Sequence, residues 1–418
     1  MALSTGATVR RGQWVLLALL VASSCINYVD RGNLSVAAAT LSFRADLGLS
    51  DENLGILFSM FFVTYAACQI LAGWLIDKYN VFVVYTLGFV LWSAATILTG
   101  FVGSFAGLLM FRLLLGASEA VAYPAYSKII TARFVEQERG LANSLIDGGT
   151  RIGPAIGVLA GGLIAARYGW RMVFIVIGLA GMLWLLPWCW LLWRGTGGVE
   201  ARVRTAPAGP GFGEILRRRQ AWGTFLGLFC LNYSWYFVLS WLPSYLTQER
   251  HYSTRMMAWY GSLPFWGLAV MIVISGWTSD RFIRRGASPT KVRLSMLAGG
   301  LMLNALMIPA YLIQDQAISM ALLVVACLAL GVATSNLFAV SQTLAGREGV
   351  GKWIGLQNGM GNIAGVLSPY LTGVIANRLG SFFLAFVAAS AVAVVGGLSY
   401  WLIVRRVEPI EWGQASTR

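Results

Sequence analysis

The sequence predicts an all-α integral membrane protein, with twelve transmembrane helices in two pseudo-symmetric six-helix bundles and both termini cytoplasmic. Three observations lead there. Of 418 residues, 57% are hydrophobic and only 11% charged, where a soluble domain carries about 25% charged residues. Apolar runs recur at roughly twenty residues, the length that crosses a hydrocarbon core as a helix. Short motifs of the first half return in the second at a nearly constant offset, the mark of a duplicated unit.

By that ruler the spans fall at 14–38, 54–76, 81–101, 106–129, 141–166, 171–193, 221–246, 257–279, 292–313, 318–344, 352–376 and 382–404. The first run is too long for a signal peptide and is expected to stay in the membrane. Arg194 to Gln220, with Gly195, Gly197, Gly198, Pro207, Gly209, Pro210 and Gly211, has the composition of a mobile cytoplasmic connection. The chain therefore divides into a bundle over 1–193, a linker over 194–220 and a bundle over 221–418.

Charge placement sets the orientation. With both termini inside, cytoplasmic segments hold 22 of the 31 Lys and Arg, external loops six and the spans three, which is the positive-inside asymmetry. The net charge of +14 is thus topological, and no nucleic-acid partner is implied. No Walker loop, dinucleotide fingerprint or Cys/His metal spacing occurs, so no enzyme, cofactor or metal is expected. Cys25, Cys68, Cys189, Cys230 and Cys327 all fall in spans, an odd number suited to packing rather than disulfides. His251 lies in an external loop, an unpromising place for a proton relay.

The halves echo each other. Asn27-Tyr28 recurs as Asn232-Tyr233, offset by 205. Gly73-Trp74 with Asp77-Lys78 recurs as Gly276-Trp277 with Asp280-Arg281, offset by 203, and Gly162–Gly169 recurs as Gly373–Gly380, offset by 211. In the Gly-Trp segments glycine permits close helix approach, and Asp77, Lys78, Asp280 and Arg281 can form a breakable gating latch. Here the chain resembles the major facilitator superfamily. Gly73 to Lys78 matches its motif, although Asn80 replaces the usual glycine; Gly276 to Arg285 matches more closely.

Six ionisable residues lie deep in spans, all in the first half: Asp30, Arg31, Arg112, Glu119, Asp147 and Arg151. At about 3 kcal/mol each, isolated insertion would cost on the order of 15–20 kcal/mol, and three acids against three bases suggests pairing. Arg112 and Glu119, seven apart, share a face but stand roughly 10 Å apart along the axis, so each looks to another helix. Asp147 and Arg151, four apart, can pair within one helix. Asp30 and Arg31 point about 100° apart and serve different partners, while Tyr28 can set its hydroxyl beside Arg31. A guanidinium forks onto a carboxylate and keeps its proton. A substrate acid competing for that cation would favour protonation of the buried carboxylate, which couples anion to proton.

Asn27-Tyr28-Val29-Asp30-Arg31, together with Arg112 to Pro124, is similar to the anion:cation symporter branch of that superfamily, which includes bacterial proton symporters for sugar acids and animal sialic acid and vesicular glutamate carriers. The resemblance implies a proton-coupled importer of a small organic anion in a bacterial inner membrane. By it, Arg31 binds the substrate carboxylate, Glu119 carries the proton and Asp30 is a second acid engaged with Arg112. Tyr28 and Tyr65 match pocket tyrosines. Asp147 and Arg151 depart from the sugar-acid members; Arg151 either reads a second acidic group or spends its charge on Asp147.

The second half offers amides and rings instead of charges: Asn232, Tyr233, Trp235 and Tyr236 on helix 7, Asn336, Ser341 and Gln342 on helix 10, and Gln357, Asn358 and Asn362 on helix 11. Asn232, Tyr236, Asn358 and Asn362 are the substrate-wall candidates, with interhelical glue as the competing role for such amides. The expected partners are an organic anion, protons and the bilayer, and the expected state is a monomer. Organic-anion exchange or proton-coupled export of another small molecule is the alternative mode.

Overall fold

The computed structural model describes residues 2–134, 136–193 and 210–412. Positions 194–209 of the expected linker lie outside the described residues. Those described form helices and no strand: α1 (Ala2–Ala38), α2 (Leu41–Leu47), α3 (Asp51–Lys78), α4 (Val81–Thr99), α5 (Phe105–Glu119), α6 (Ala122–Arg133), α7 (Glu136–Tyr168), α8 (Trp170–Leu191), α9 (Phe212–Leu216), α10 (Arg219–Gln248), α11 (Thr254–Arg284), α12 (Pro289–Leu303), α13 (Met307–Leu312), α14 (Gln316–Leu379) and α15 (Phe383–Ser399). α14 is two helices meeting at Gly346, whose φ of 63° and ψ of −179° suit only glycine.

Among the described residues, eleven segments are long and apolar enough to cross a bilayer. They coincide with every expected span but the eleventh. That stretch is helical, running on from Gly346 to Leu379, but Gln357, Asn358, Asn362 and its glycines make it less apolar than the rest. The fourth span is interrupted: α5 stops at Glu119 and α6 starts at Ala122. Pro124 explains the break, since its ring collides with the carbonyl four residues earlier, at Ala120.

The helices group into two compact units, Met1–Val203 with Ser240–Ser262, and Arg204–Leu239 with Leu263–Arg418. In the first, α1 lies along α7, and α5 along both α3 and α4. Glycine allows the α1–α7 approach. A β-carbon on Gly153 would lie 2.6 Å from the Cys25 carbonyl oxygen and 2.7 Å from the Tyr28 β-carbon, so the glycine presses Tyr28 and its neighbours into place. Behind α1, the Trp184 indole donates to the Leu19 carbonyl at 3.1 Å, fixing α8 against it.

Gly153→Val is therefore expected to destabilise the protein by about 1–3 kcal/mol through overpacking, read as a lower thermal midpoint in detergent. Gly148→Ala, where the added carbon meets nothing within 4 Å, is expected to leave the midpoint unchanged. Equal midpoints for both variants would refute this account of the α1–α7 seam.

In the second unit Gly361 repeats the device. Its β-carbon would meet Leu228 at 2.7 Å, and its carbonyl accepts from Asn232 Nδ2 at 3.1 Å. At Gly346, the C-terminal segment caps the carbonyls the break leaves over: Ile410 N–H donates to Leu344 at 2.9 Å and the Trp412 indole to Ala345 at 2.8 Å.

Candidate substrate and proton site

The site is built where α1, α3 and the end of α5 meet. Arg31 Nε donates to Glu119 Oε2 at 2.9 Å, with the two side chains 4% and 0% exposed. Three rings surround the guanidinium: its central carbon lies 4.6 Å from the Tyr28 ring, 5.0 Å from Phe61 and 4.6 Å from Tyr65. Tyr28 stands three residues before Arg31 on α1. Phe61 and Tyr65 stand one turn apart on α3, stacked at 5.7 Å. Such faces attract a cation most when water is kept away, so the rings hold Arg31 in place even when its carboxylate partner changes.

Glu119 is only half satisfied. Its Oε1 has no hydrogen-bond partner and neither has Asn27 Nδ2, although Asn27 is near enough to act on the carboxylate. One oxygen grips the cation while the other is open to a proton. The group can change protonation state without breaking a second bond.

Asp30, 1% exposed, turns away from Arg31 and accepts from Asn33 Nδ2 at 3.2 Å. The expected engagement with Arg112 is not an ion pair. The two interact through their fields, but no nitrogen–oxygen contact between them falls within 4.0 Å among the described residues. Arg112 keeps its Nε unbonded; it reaches neither Asp30 nor Glu119 because it stands two turns from the latter on α5.

The intrahelical pair on α7 also does not form. The Thr150 hydroxyl donates to the Asp147 backbone carbonyl at 2.7 Å and to Asp147 Oδ1 at 3.4 Å, and Arg151 has an interaction of its own. Two residues that the sequence reading leaves without a role belong here. Phe61 completes the cage. Tyr123, at the start of α6, lies within electrostatic reach of Tyr28, Tyr65, Arg31 and Asp147; its position directly before Pro124 was the available signal.

In the second unit, Asn232 is committed to Gly361 as described, and Tyr236 is 4% exposed. Asn358 is exposed and Asn362 half-buried. Asn336 is glue: Oδ1 accepts from Ser279 at 2.8 Å, and Nδ2 donates to Ser335 at 3.0 Å.

Of the residues expected to form a latch between helices, Asp77 alone, among the described residues, pairs with a base on another helix. Asp77 pairs with Lys128 of α6 at 3.4 Å, and Lys128 also donates to the Ile76 carbonyl. Lys78 stacks on Trp74 at 4.7 Å and Arg281 on Trp277 at 5.1 Å, while Asp280 forms no ion pair among the described residues. The reason is helical geometry. Neighbours such as Asp77 and Lys78 diverge by about 100°, whereas a base and the tryptophan four residues before it share a face.

The family model of the Major Facilitator Superfamily matches residues 20–347 and 251–418, nearly the whole chain. The chain belongs to the major facilitator superfamily. This superfamily member is similar to a D-galactonate transporter of Escherichia coli, 30% identical with 96% of this chain and 97% of the relative covered. It is 31% identical to a probable sulfoacetate transporter of Cupriavidus necator, with 92% of each covered. It is 29% identical to a probable galactarate/D-glucarate transporter of Bacillus subtilis, with 95% and 93% covered.

Among solved structures, a bacterial homologue of the human lysosomal transporter Spinster, inward-facing and occupied, superposes with a TM-score of 0.78. Its identity is 21%, with 93% of this chain and 96% of that one covered, a likeness of fold. The superfamily member is a multi-pass cell-membrane transporter and not an enzyme, and its relatives named for sugar acids are in keeping with the anion:cation symporter-type branch.

Proposed function

We propose that the protein imports a small carboxylate, sugar-acid-like, by proton symport through alternating access of two six-helix bundles joined by the cytoplasmic linker, with both termini inside. The observation that carries this reading is the buried Arg31–Glu119 pair within its aromatic cage. An incoming carboxylate takes the guanidinium as a two-pronged partner. Glu119, deprived of its cation in a dry site, takes up a proton. Anion and proton thus bind together, and each favours the other.

Tyr28 and Tyr65 supply hydroxyls beside the anion, and Asp30 with Arg112 forms the second protonatable element. From the second unit, Asn232, Tyr236, Asn358 and Asn362 contribute to substrate selection, and Arg151 to a further acidic or polar group. Asp77, Lys78, Asp280 and Arg281 act in gating. The names of the relatives support acids of the galactonate, glucarate and sulfoacetate kinds.

The test is a thermal-shift panel of D-galactonate, D-glucarate, sulfoacetate and D-galactose on purified protein, followed by uptake of the best acid into proteoliposomes. An acid is expected to stabilise the protein and the neutral sugar not. Uptake is expected to accelerate as external pH falls from 8 to 6, about tenfold per unit at most for one coupled proton. Uptake that is indifferent to pH and requires internal counter-substrate would replace symport by exchange.

A further inference from the structure

A cleft of about 650 Å³ opens between α3, α4 and the end of α5, a size that suits a small ligand. It lies wholly in the first unit and takes in none of the residues of the aromatic cage. Leu71 and Leu75 of α3, Val83, Leu87 and Leu91 of α4 and Leu114 of α5 form its sides. Its floor is set by Gly88. A β-carbon there would collide with Val121 and lie 3.1 Å from the Ser118 carbonyl oxygen, so α4 presses on the turn from which Glu119 leaves toward Arg31.

The chemistry of the walls selects an apolar occupant. The Ser118 hydroxyl, the polar group at the floor, is spent on the Leu114 carbonyl at 2.7 Å, so a hydrated acid entering here would lose its water for nothing in return. Leu71, Val83, Leu87 and Leu91 are each at least half exposed, which opens the cleft to the bilayer and not to the cage. Its depth is as telling. From Asn80 to Leu91, α4 rises about 16 Å, and half of a hydrocarbon core is about 15 Å. Trp74 and Tyr79, both exposed and with rings 6.4 Å apart, are residues of the kind that mark the membrane–water boundary. The cleft thus runs from that boundary to near the midplane, the path of a single acyl chain.

The mouth carries an available charge. The Lys78 ammonium lies 4.7 Å from the Trp74 ring and 5.4 Å from that of Tyr79, which lines the cleft. The neighbouring acid, Asp77, is taken by Lys128 at 3.4 Å, and no carboxylate oxygen lies within 4.0 Å of the Lys78 ammonium among the described residues. With the orientation proposed above, this mouth opens on the cytoplasmic leaflet, whose surface carries anionic lipid. We propose that the cleft is a site for one anionic phospholipid, with an acyl chain lying between α3, α4 and α5 and the phosphate held by Lys78. The inference needs the membrane placement of these helices and not the proton-coupled reading, so either can fail without the other.

The test places the full chain in phosphatidylcholine nanodiscs doped with phosphatidylglycerol that carries a photoactivatable diazirine on one acyl chain. Matched samples carry the diazirine on phosphatidylcholine instead, and peptide mass spectrometry locates the adducts. Phosphatidylglycerol adducts are expected to concentrate on the lining residues of α3, α4 and α5. Leu87→Trp fills the cleft from an exposed position and is expected to remove them. Leu98→Trp, exposed on α4 beyond the cleft, is expected to leave them. Lys78→Gln is expected to lower phosphatidylglycerol labelling about fivefold, the worth of one base at an anionic surface, with phosphatidylcholine labelling unchanged. Adducts spread evenly over the lipid-facing helices and unmoved by Leu87→Trp overturn the site. So does labelling confined to other helices, the result if a second copy of the chain covers the cleft. Equal labelling by the two headgroups, or indifference to Lys78→Gln, overturns the anionic phospholipid as occupant. The adduct map is read on unmodified protein, so it decides the question even if a variant does not fold.

Discussion

Replacing Arg31 with alanine is expected to abolish stabilisation by every organic acid that protects the unmodified protein. The guanidinium reaches from α1 to grip Glu119 Oε2 at the end of α5, and it is held at 4.6–5.0 Å by Tyr28, Phe61 and Tyr65. A hydrogen bond to a charged group is worth about 1.5–3 kcal/mol, so loss of a two-pronged contact predicts at least about a 100-fold fall in affinity. A second cost lies in the unliganded protein: breaking a buried ion pair leaves an uncompensated charge at about 3–5 kcal/mol, unless Glu119 is neutralised. The alanine variant should therefore melt lower, with its midpoint more dependent on pH. Arg31→Lys keeps the charge but not the fork and should fall between the two. A full acid-induced shift in Arg31→Ala would remove Arg31 from recognition and with it the proposed coupling.

Much of this was legible in one dimension. Apolar length located eleven of the spans, because a bilayer imposes one ruler on all of them; the eleventh, placed by the same ruler, is helical but carries amides that leave it short of that apolarity. The spacing of Arg112 and Glu119 kept the two from pairing, and Glu119 meets Arg31 of α1 instead. What escaped was everything decided by helix rotation or by local competitors. Phe61 reaches Arg31 only because α3 is turned so that Phe61 and Tyr65 share the face toward α1, and no spacing within α3 reports that.

Asp147 and Arg151 have the separation for a pair, yet the contact that Asp147 makes within α7 is with the Thr150 hydroxyl, which no separation of charges announces. The gating motif carried its composition but not the identity of its partners. Its bases prefer the aromatic face four residues back, and Asp77 finds Lys128, 51 residues further on. The interruption after Glu119 could have been read from Pro124, and it matters because it ends α5 at the carboxylate.

Replacing Glu119 with glutamine is expected to separate binding from energy coupling. Glutamine keeps an oxygen for Arg31 Nε at the 2.9 Å position and nearly the same volume, so the cage should survive. It removes the negative charge that competes with the substrate for the guanidinium, so acids should bind at least as tightly as before, with an affinity that no longer varies with pH. It also cannot carry a proton. A pH difference of one unit supplies about 1.4 kcal/mol per proton, enough for about tenfold accumulation in a one-proton symporter. In proteoliposomes the unmodified protein should approach that ratio, while Glu119→Gln should stop at about onefold and still exchange internal for external acid. Accumulation retained by Glu119→Gln would move the coupling proton to Asp30 alone. Loss of exchange as well would show that the carboxylate is needed for the conformational step itself, because the glutamine cannot release Arg31 to the substrate as the acid does.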